Sequence, residues 1–65
     1  MKVQYDKETD TLTITLRDVK VKDSDELRPG MIVDFGYDGG VAGMEILRAS
    51  TVVEKAGEFQ FAVVP

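Results

Sequence analysis

The segment MIVDFGYDGGVAGMEIL, from Met31 to Leu47, determines the fold predicted for this chain. It contains two runs in which apolar residues alternate with others, and Asp38-Gly39 lies between them. Asp-Gly between two such runs is a strong hairpin signal, because a type I′ turn needs positive φ at both central residues. We therefore predict a β-hairpin whose turn is centred on Asp38-Gly39.

Charge selects the register of this hairpin. A turn centred on Gly39-Gly40 would set Asp34 directly against Glu45, and like charges at opposed positions are destabilising. A turn centred on Asp38-Gly39 avoids that contact and keeps the apolar residues on one face. The pairs expected on that face are Met31–Ile46, Val33–Met44, Phe35–Ala42 and Tyr37–Gly40, and those on the other face are Ile32–Glu45, Asp34–Gly43 and Gly36–Val41.

Residues 1–17 predict another hairpin, earlier in the chain. Apolar and polar residues alternate on both sides of the polar stretch Lys7 to Asp10, which suits a four-residue loop. This alternation is typical of an antiparallel sheet with one apolar and one polar face. The expected pairs are Met1–Leu16, Val3–Ile14 and Tyr5–Leu12 on the inner face, with Lys2–Thr15 and Gln4–Thr13 outside.

The segment between the hairpins is less regular. Val19 and Val21 alternate with charged residues, which indicates either an extension of the preceding strand or a short edge strand. The polar stretch 23–26 is expected to turn the chain. Pro29-Gly30 then marks the entry to the second hairpin, since proline lacks a donor for the sheet.

The C-terminal part changes its periodicity. Thr51 and Glu54 match a helix capping box, but Gly57 follows too soon for more than one or two turns, so we predict a short helix. Residues 58–64 alternate again and predict a final strand. We expect it to lie over the second face of the central hairpin or to pair with another subunit.

These patterns predict one small domain over residues 1–65, of the α+β class but mainly β. We expect a small antiparallel sheet of two consecutive hairpins, with about four to five strands, and one short helix near the C-terminus. The predicted core consists of Val3, Tyr5, Leu12, Ile14, Leu16, Met31, Val33, Phe35, Met44 and Ile46. A domain of about 60 residues buries only about 60% of its unfolded surface. Because the chain has no cysteine for disulfides, we predict that it gains buried area as a homodimer.

Charge and the lengths of the apolar runs argue against two classes of partner, nucleic acids and membranes. Eight Lys and Arg residues face twelve Asp and Glu residues, for a net charge of −4, and no basic run is visible. Nucleic-acid binding needs a concentrated cationic face, so we expect no nucleic-acid partner. No apolar run approaches the length of about 20 residues that spans a membrane, and no signal peptide is evident. We therefore expect no membrane association and a cytoplasmic location.

Three stretches resemble a family of short prokaryotic proteins catalogued as a domain of unknown function, number 2283. The family pattern has a Tyr-Asp strand start, a Pro-Gly before an Asp-containing strand, and a Gly-Ile-Glu-Ile-Leu strand that ends in Ala-Ser. The resemblance covers roughly residues 1–50, with Met44 at a position where isoleucine is usual, and the tail 54–65 exceeds the family core. It implies a small β-rich fold with a short helix and no established activity, so no catalytic residue is carried over. The matching stretches are Tyr5-Asp6 to Asp10 with Leu12-Thr13-Ile14, Pro29-Gly30 to Ile32-Val33-Asp34, and Asp38-Gly39 to Gly43-Met44-Glu45-Ile46-Leu47 with Ala49-Ser50.

Two apparent ligand motifs fail on spacing. A calcium loop that started at Asp6 would place its required glycine at Thr11 and its closing glutamate at Arg17. The glycines between residues 36 and 43 fit neither nucleotide-binding spacing, and turns and close packing explain them better. With no His or Cys in the chain, the usual zinc ligands are absent, and we predict no cofactor and no metal site.

Asp34 and Glu45 are the weak functional candidates. The predicted register places them diagonally on one face, near apolar residues, where carboxyl groups can acquire raised pKa values and act as acid and base or hold a metal. The competing interpretation is that they solvate a sheet face or a subunit contact, and we favour it. Ser24 and Ser50 have no activating partner in the sequence, so we predict no catalytic residue and no enzyme.

Three functions remain open. The leading hypothesis is a non-catalytic, self-associating interaction module, with an unknown protein partner as a further option. The alternatives are a small carboxylate- or metal-dependent enzyme that uses Asp34 and Glu45, and an antitoxin-like regulatory subunit whose acidic surface masks a basic partner. The predicted interface consists of Ile32, Val41, Leu47, Phe59, Phe61 and Val63.

Overall fold

A computed structural model describes residues 1–65 and shows one five-stranded antiparallel sheet. The strands are β1 (Lys2–Asp6), β2 (Thr11–Thr15), β3 (Val21–Arg28), β4 (Met31–Gly36) and β5 (Val41–Ile46), followed by a 3₁₀ turn, Ala49–Thr51. Their order across the sheet is β1-β2-β5-β4-β3. The mainly β fold class is therefore confirmed. The helical element near the C-terminus is this 3₁₀ turn, which ends at Thr51, the residue where the predicted helix was expected to begin.

The register of the first hairpin is as predicted. Val3 pairs with Ile14, Tyr5 with Leu12, and the two outer pairs also match. The loop that joins β1 to β2 has four residues, and Asp10 closes it with a left-handed φ of 52°. The expected Met1–Leu16 pair lies outside the sheet, because β1 starts at Lys2 and β2 ends at Thr15.

The central hairpin follows the predicted register up to Asp34, which pairs with Gly43. Nearer the turn the prediction is wrong, because Phe35 pairs with Val41 and not with Ala42. Ala42 is the extra residue of a β-bulge, and a bulge shifts all later pairings by one residue. The expected Gly36–Val41 and Tyr37–Gly40 pairs are therefore absent.

The turn of this hairpin is also of a different type. Gly39 donates its N–H to the Gly36 carbonyl at 3.1 Å, and Gly36 donates to the Gly40 carbonyl at 2.9 Å. Gly39 has a φ of 82°, whereas Asp38 has no positive φ. This is a three-residue loop with a type I turn and a left-handed glycine, and not the predicted type I′ turn.

β3 corrects the prediction for residues 23–26. These residues do not turn the chain but lie inside an eight-residue edge strand that is exposed along its whole length. Lys22 and Leu27 are the extra residues of two bulges against β4. Polar residues are tolerated here because an edge strand exposed on both faces need not alternate apolar and polar side chains.

The register places apolar residues in two rows on one side of the sheet, which we call the apolar face. Val33 and Ile46, near its centre, are buried at 8% and 7% exposure, and the other members are half-buried. Leu16, a predicted core residue, is 43% exposed, whereas Ala42 and Ala49 are buried and were not predicted. The apolar face comprises Val3, Tyr5, Leu12, Ile14, Met31, Val33, Met44 and Ile46.

The C-terminal segment forms no strand within the chain, contrary to prediction. Residues 58–65 are exposed and have no regular secondary structure. Val53, Ala56 and Phe59 line a cavity of about 360 Å³ together with Val3 and Tyr5 of the apolar face. The chain therefore crosses the apolar face beside β1 and β2, and not the second face as expected.

Candidate functional site

Asp34 and Glu45 meet on the opposite side of the sheet, which we call the polar face. Asp34 on β4 lies across from Gly43, and Glu45 on β5 lies across from Ile32, so the two carboxyl groups are diagonal neighbours as predicted. Gly43 has no side chain to separate them. We call Asp34 and Glu45 the carboxyl pair.

The carboxyl pair changes the acidity of Glu45. The Asp34 carboxyl group beside it is the largest cause, followed by burial and by the negative charge of Asp34, and together they raise the pKa of Glu45 above its ordinary value. The folded chain therefore holds a proton at the carboxyl pair more strongly than the unfolded chain does.

Ser24 is a third member of this site that sequence reasoning missed. Its Oγ donates to Oδ1 of Asp34 at 2.6 Å from the neighbouring strand β3. This contact was not predicted, because residues 23–26 were expected to turn the chain. Since β3 in fact pairs Ser24 with Asp34 across the sheet, the hydroxyl and the carboxylate lie side by side.

A small depression is lined by Asp34 of the carboxyl pair and by Gly43. Its volume is about 90 Å³, and Thr13, Thr15, Arg17 and Asp34 contribute polar groups to its wall. No group of three or more His, Cys, Asp or Glu side chains is arranged to hold a metal ion. The arrangement can give and take one proton beside a small polar space.

A second polar cluster lies at one end of the sheet, between the first hairpin loop and the 3₁₀ turn. Asp10 accepts hydrogen bonds from the Tyr5 hydroxyl at 2.6 Å, from the Ser50 N–H at 3.0 Å and from the Ser50 hydroxyl at 2.6 Å. The Ala49 N–H donates to the Asp10 carbonyl at 2.8 Å. We call Tyr5, Asp10 and Ser50 the Asp10 clamp, because it fastens the 3₁₀ turn to the first hairpin loop. The hydrogen bonds of Ser50 to Asp10 were not predicted either.

The clamp changes the acidity of its members. Hydrogen bonds from Ser50 and then Tyr5 lower the pKa of Asp10, which outweighs the effect of burial. The same contact raises the pKa of Tyr5, with its hydrogen bond to Asp10 as the largest cause. Asp10 is therefore a poor base for activating the Ser50 hydroxyl, and the geometry points to a structural role for the clamp.

Arg17 and Asp38 form a two-pronged ion pair at the other end of the sheet. The two guanidinium–carboxylate distances are 2.8 Å and 3.0 Å, and the Arg17 Nε–H donates to the Val41 carbonyl at 3.2 Å. Asp38 also accepts the Gly40 N–H at 2.9 Å. The hydrogen bonds from Arg17 and then Gly40 hold the pKa of Asp38 far below its usual range. This contact fixes the hairpin loop against the end of β2.

The six predicted interface residues do not form one surface in the single chain. Ile32 is half-buried beside Glu45 on the polar face, and Leu47 is half-buried after β5. Val41 is exposed at the β5 bulge. The aromatic rings of Phe59 and Phe61 stack with centroids 6.4 Å apart, and Val63 follows them in the exposed segment.

The residues that match a known family are those that form the sheet and the Asp10 clamp. A family model described as "Protein of unknown function (DUF2283)" matches residues 2–50. The chain belongs to this family. The matched range begins with β1 and ends at Ser50, the last residue of the Asp10 clamp, so the shared sequence encodes the sheet together with its fastening.

The other comparisons add no relative. No curated protein and no solved structure gives a match to the chain. None of its helical segments has the length and apolar character needed to cross a bilayer.

Proposed function

We propose that this chain is a non-catalytic interaction module that works as a homodimer in the cytoplasm. The observation that supports this proposal is the incomplete burial of the apolar face. The molecule measures 35 × 33 × 19 Å and is a single sheet with no second layer of secondary structure. A sheet with one apolar face is stable when another layer covers it. A second copy would supply that layer.

The accessible surface supports the same conclusion. Its area is 5205 Å², whereas size scaling gives about 4,100 Å² for a folded monomer of 7.2 kDa. The excess of about 1,100 Å² compares with the roughly 800 Å² that each partner buries in a standard interface. The half-buried apolar face and the exposed residues 58–65 both contribute to this excess.

The rim of the apolar face is suited to a protein contact. The two rows of the apolar face end on β3 at Asp25 and Arg28. These residues pair with Val33 and Met31. Stable interfaces commonly have an apolar centre and a polar, solvent-accessible rim. The charged edge of β3 would provide such a rim on one side of the contact.

Replacement of Phe61 by Asp tests this proposal. Phe61 is 67% exposed and lies outside the sheet, so the variant should keep its fold while losing an apolar contact between subunits. We expect wild type to elute as a dimer in size-exclusion chromatography with light scattering at tens of micromolar, and Phe61→Asp as a monomer. Leu27→Asp, at an exposed position on β3, is the matched control and should stay dimeric. An unchanged dimer in Phe61→Asp would contradict the role of this segment.

Acid–base or metal chemistry at the carboxyl pair is the second candidate. The diagonal placement of the two carboxyl groups beside Gly43 and the raised pKa of Glu45 support it, because a carboxyl group with a raised pKa can act as a general acid. Titration of the ¹⁵N-labelled chain with Mg²⁺ and Zn²⁺ tests it by amide chemical shifts. Saturable shifts centred on Asp34 and Glu45 would favour this candidate, and their absence would leave it without support.

A further inference from the structure

We infer that residues 59–64 form an additional strand on the free edge of β1 in a second copy of this chain. This inference rests on the proposed self-association and specifies which part of each copy the other one binds. Strand addition of this kind joins two chains through main-chain hydrogen bonds, while alternate side chains provide the specificity.

The C-terminal segment has the properties of a donor strand. Its sequence, FQFAVV, is uncharged and rich in the aromatic and β-branched residues that favour strands. No backbone hydrogen bond involves residues 59–65, and the last one before them joins the Glu58 N–H to the Lys55 carbonyl at 2.8 Å. Phe61 is 67% exposed and Val63 84% exposed. The segment therefore offers both an unpaired backbone and unburied apolar side chains.

The sheet has two edges, and only one of them is protected against pairing. On β3, two bulges interrupt the edge, and five of its eight residues, VKDSDELR, are charged. Bulges and charges are the common means by which proteins prevent edge strands from pairing. β1 pairs with β2 over five consecutive residues without a bulge, and its charges, Lys2 and Asp6, stand at its two ends. β1 is therefore the open edge.

The position of the segment in its own chain favours exchange between two copies. Phe59 lines the cavity over the apolar face with Val3 and Tyr5, so the segment leaves its own sheet from above β1 and not from beside it. In a dimer with two-fold symmetry, each copy donates one segment and accepts one, so the exchange is reciprocal and needs no third copy. The six-residue segment is long enough to pair with all five residues of β1.

The first test measures contacts between copies directly. In an equimolar mixture of ¹³C,¹⁵N-labelled and unlabelled full-length chain, isotope-filtered NMR detects only contacts between subunits. We expect backbone contacts between residues 59–64 of one copy and Lys2–Asp6 of the other. Contacts between subunits that involve the apolar face but not β1 would overturn this inference and leave the homodimer intact. Contacts of the segment with β1 of its own chain would overturn it as well.

The second test removes the main-chain donors of the segment. Neighbouring residues of a strand point their N–H groups in opposite directions, so Ala62→Pro and Val63→Pro together sample both sides. We expect at least one of them to weaken dimerisation by about tenfold or more, since proline removes a ladder hydrogen bond. Ala62→Ser and Val63→Thr keep the N–H groups and should dimerise as wild type does. Unchanged dimers in both proline variants would overturn the inference, and a wild-type chain that is monomeric would overturn the proposed function with it.

Discussion

Asp10 connects parts of the chain that lie forty residues apart. Its carboxylate accepts hydrogen bonds from Tyr5 and from both donors of Ser50. Asp10 also has a left-handed φ of 52° at the end of the first hairpin loop, and Asp tolerates this conformation better than most residues do. These contacts give a physical reason why Tyr, Asp and Ala-Ser belong to the matched sequence.

Removal of the Ser50 hydroxyl should loosen this clamp. We expect Ser50→Ala to lower the Tm by roughly 5 °C, because a hydrogen bond to a charged acceptor is lost in a very small domain. Thermal unfolding followed by circular dichroism measures the change. Thr9→Ala, in the same loop but without a side-chain hydrogen bond, should unfold like wild type. Equal Tm values for all three proteins would show that the clamp does not stabilise the fold.

Glu45 makes stability depend on pH in an unusual direction for a carboxyl group. Because folding raises its pKa, its favourable contribution is complete below the ordinary pKa of glutamate and is lost as the pH rises through the folded-state value. At neutral pH we expect Glu45→Gln to unfold with a free energy about 0.5 kcal/mol higher than wild type, the magnitude typical of exposed charge pairs.

Urea titrations at acidic and neutral pH test this prediction for Glu45→Gln. The difference from wild type should disappear at a pH below the ordinary pKa of glutamate, because Glu45 is then protonated in both states. Glu8→Gln, in the first loop, removes the same charge at an exposed position and serves as the control. An equal gain in that control would assign the effect to net charge and not to the carboxyl pair.

Gly43 is required by the close approach of β2 to β5. A Cβ atom at this position would lie 2.5 Å from the carbonyl oxygen of Ile14, and backbone cannot move aside as a side chain can. We expect Gly43→Ala to lower the free energy of unfolding by about 1–3 kcal/mol, the usual effect of overpacking. Gly57→Ala has open space around its Cβ and should leave stability unchanged or slightly higher. Similar stability of both variants in urea would contradict the close contact.

The residue-scale features differ in how far the sequence predicts them. The diagonal placement of Asp34 and Glu45 followed from alternation and charge within one hairpin, because both residues lie close to the same turn. The contact of Ser24 with Asp34 and that of Ser50 with Asp10 depend on which strands become neighbours. Side-chain contacts between separate elements leave no period in the sequence, so pattern analysis missed them.

At the scale of elements, the hairpins were predictable and their irregularities were not. Strict alternation gave both registers, since a shift of one residue would turn the apolar side chains to the wrong face. The bulge at Ala42 and the turn lie where Arg17 contacts the hairpin loop through Asp38. Arg17 lies 21 residues from Asp38 in the chain, so the pattern of the hairpin itself could not indicate this contact. β3 was mistaken for a turn because an exposed edge strand needs no apolar pattern.

The ion pair of Arg17 and Asp38 gives a titration test for this part of the sheet. The bond from Arg17 is the largest cause of the lowered pKa of Asp38, so the fold gains stability from Asp38 above its ordinary pKa and loses it as the pH falls. In Arg17→Gln we expect Asp38 to titrate nearer the ordinary value of about 3.9. Carboxyl ¹³C shifts of Asp38 measure this, and a midpoint equal to that of wild type would contradict the paired geometry.

At the scale of the whole molecule, a thin sheet leaves its apolar residues only partly covered. The small size and the lack of cysteine led to the predicted homodimer. The exposed apolar side chains are the surface through which two copies would contact each other. The sequence could not show where residues 58–64 lie, because the same alternation suits a strand in its own sheet or in another copy. Only the arrangement of the edges distinguishes the two.

Sedimentation equilibrium of the full-length chain tests the proposed homodimer, in which a second copy would cover the apolar face that contains Val33 and Met44. At tens of micromolar we expect a mass twice the 7.2 kDa of one chain, falling toward the single-chain mass on dilution. A mass of one chain at every concentration would contradict the proposed homodimer.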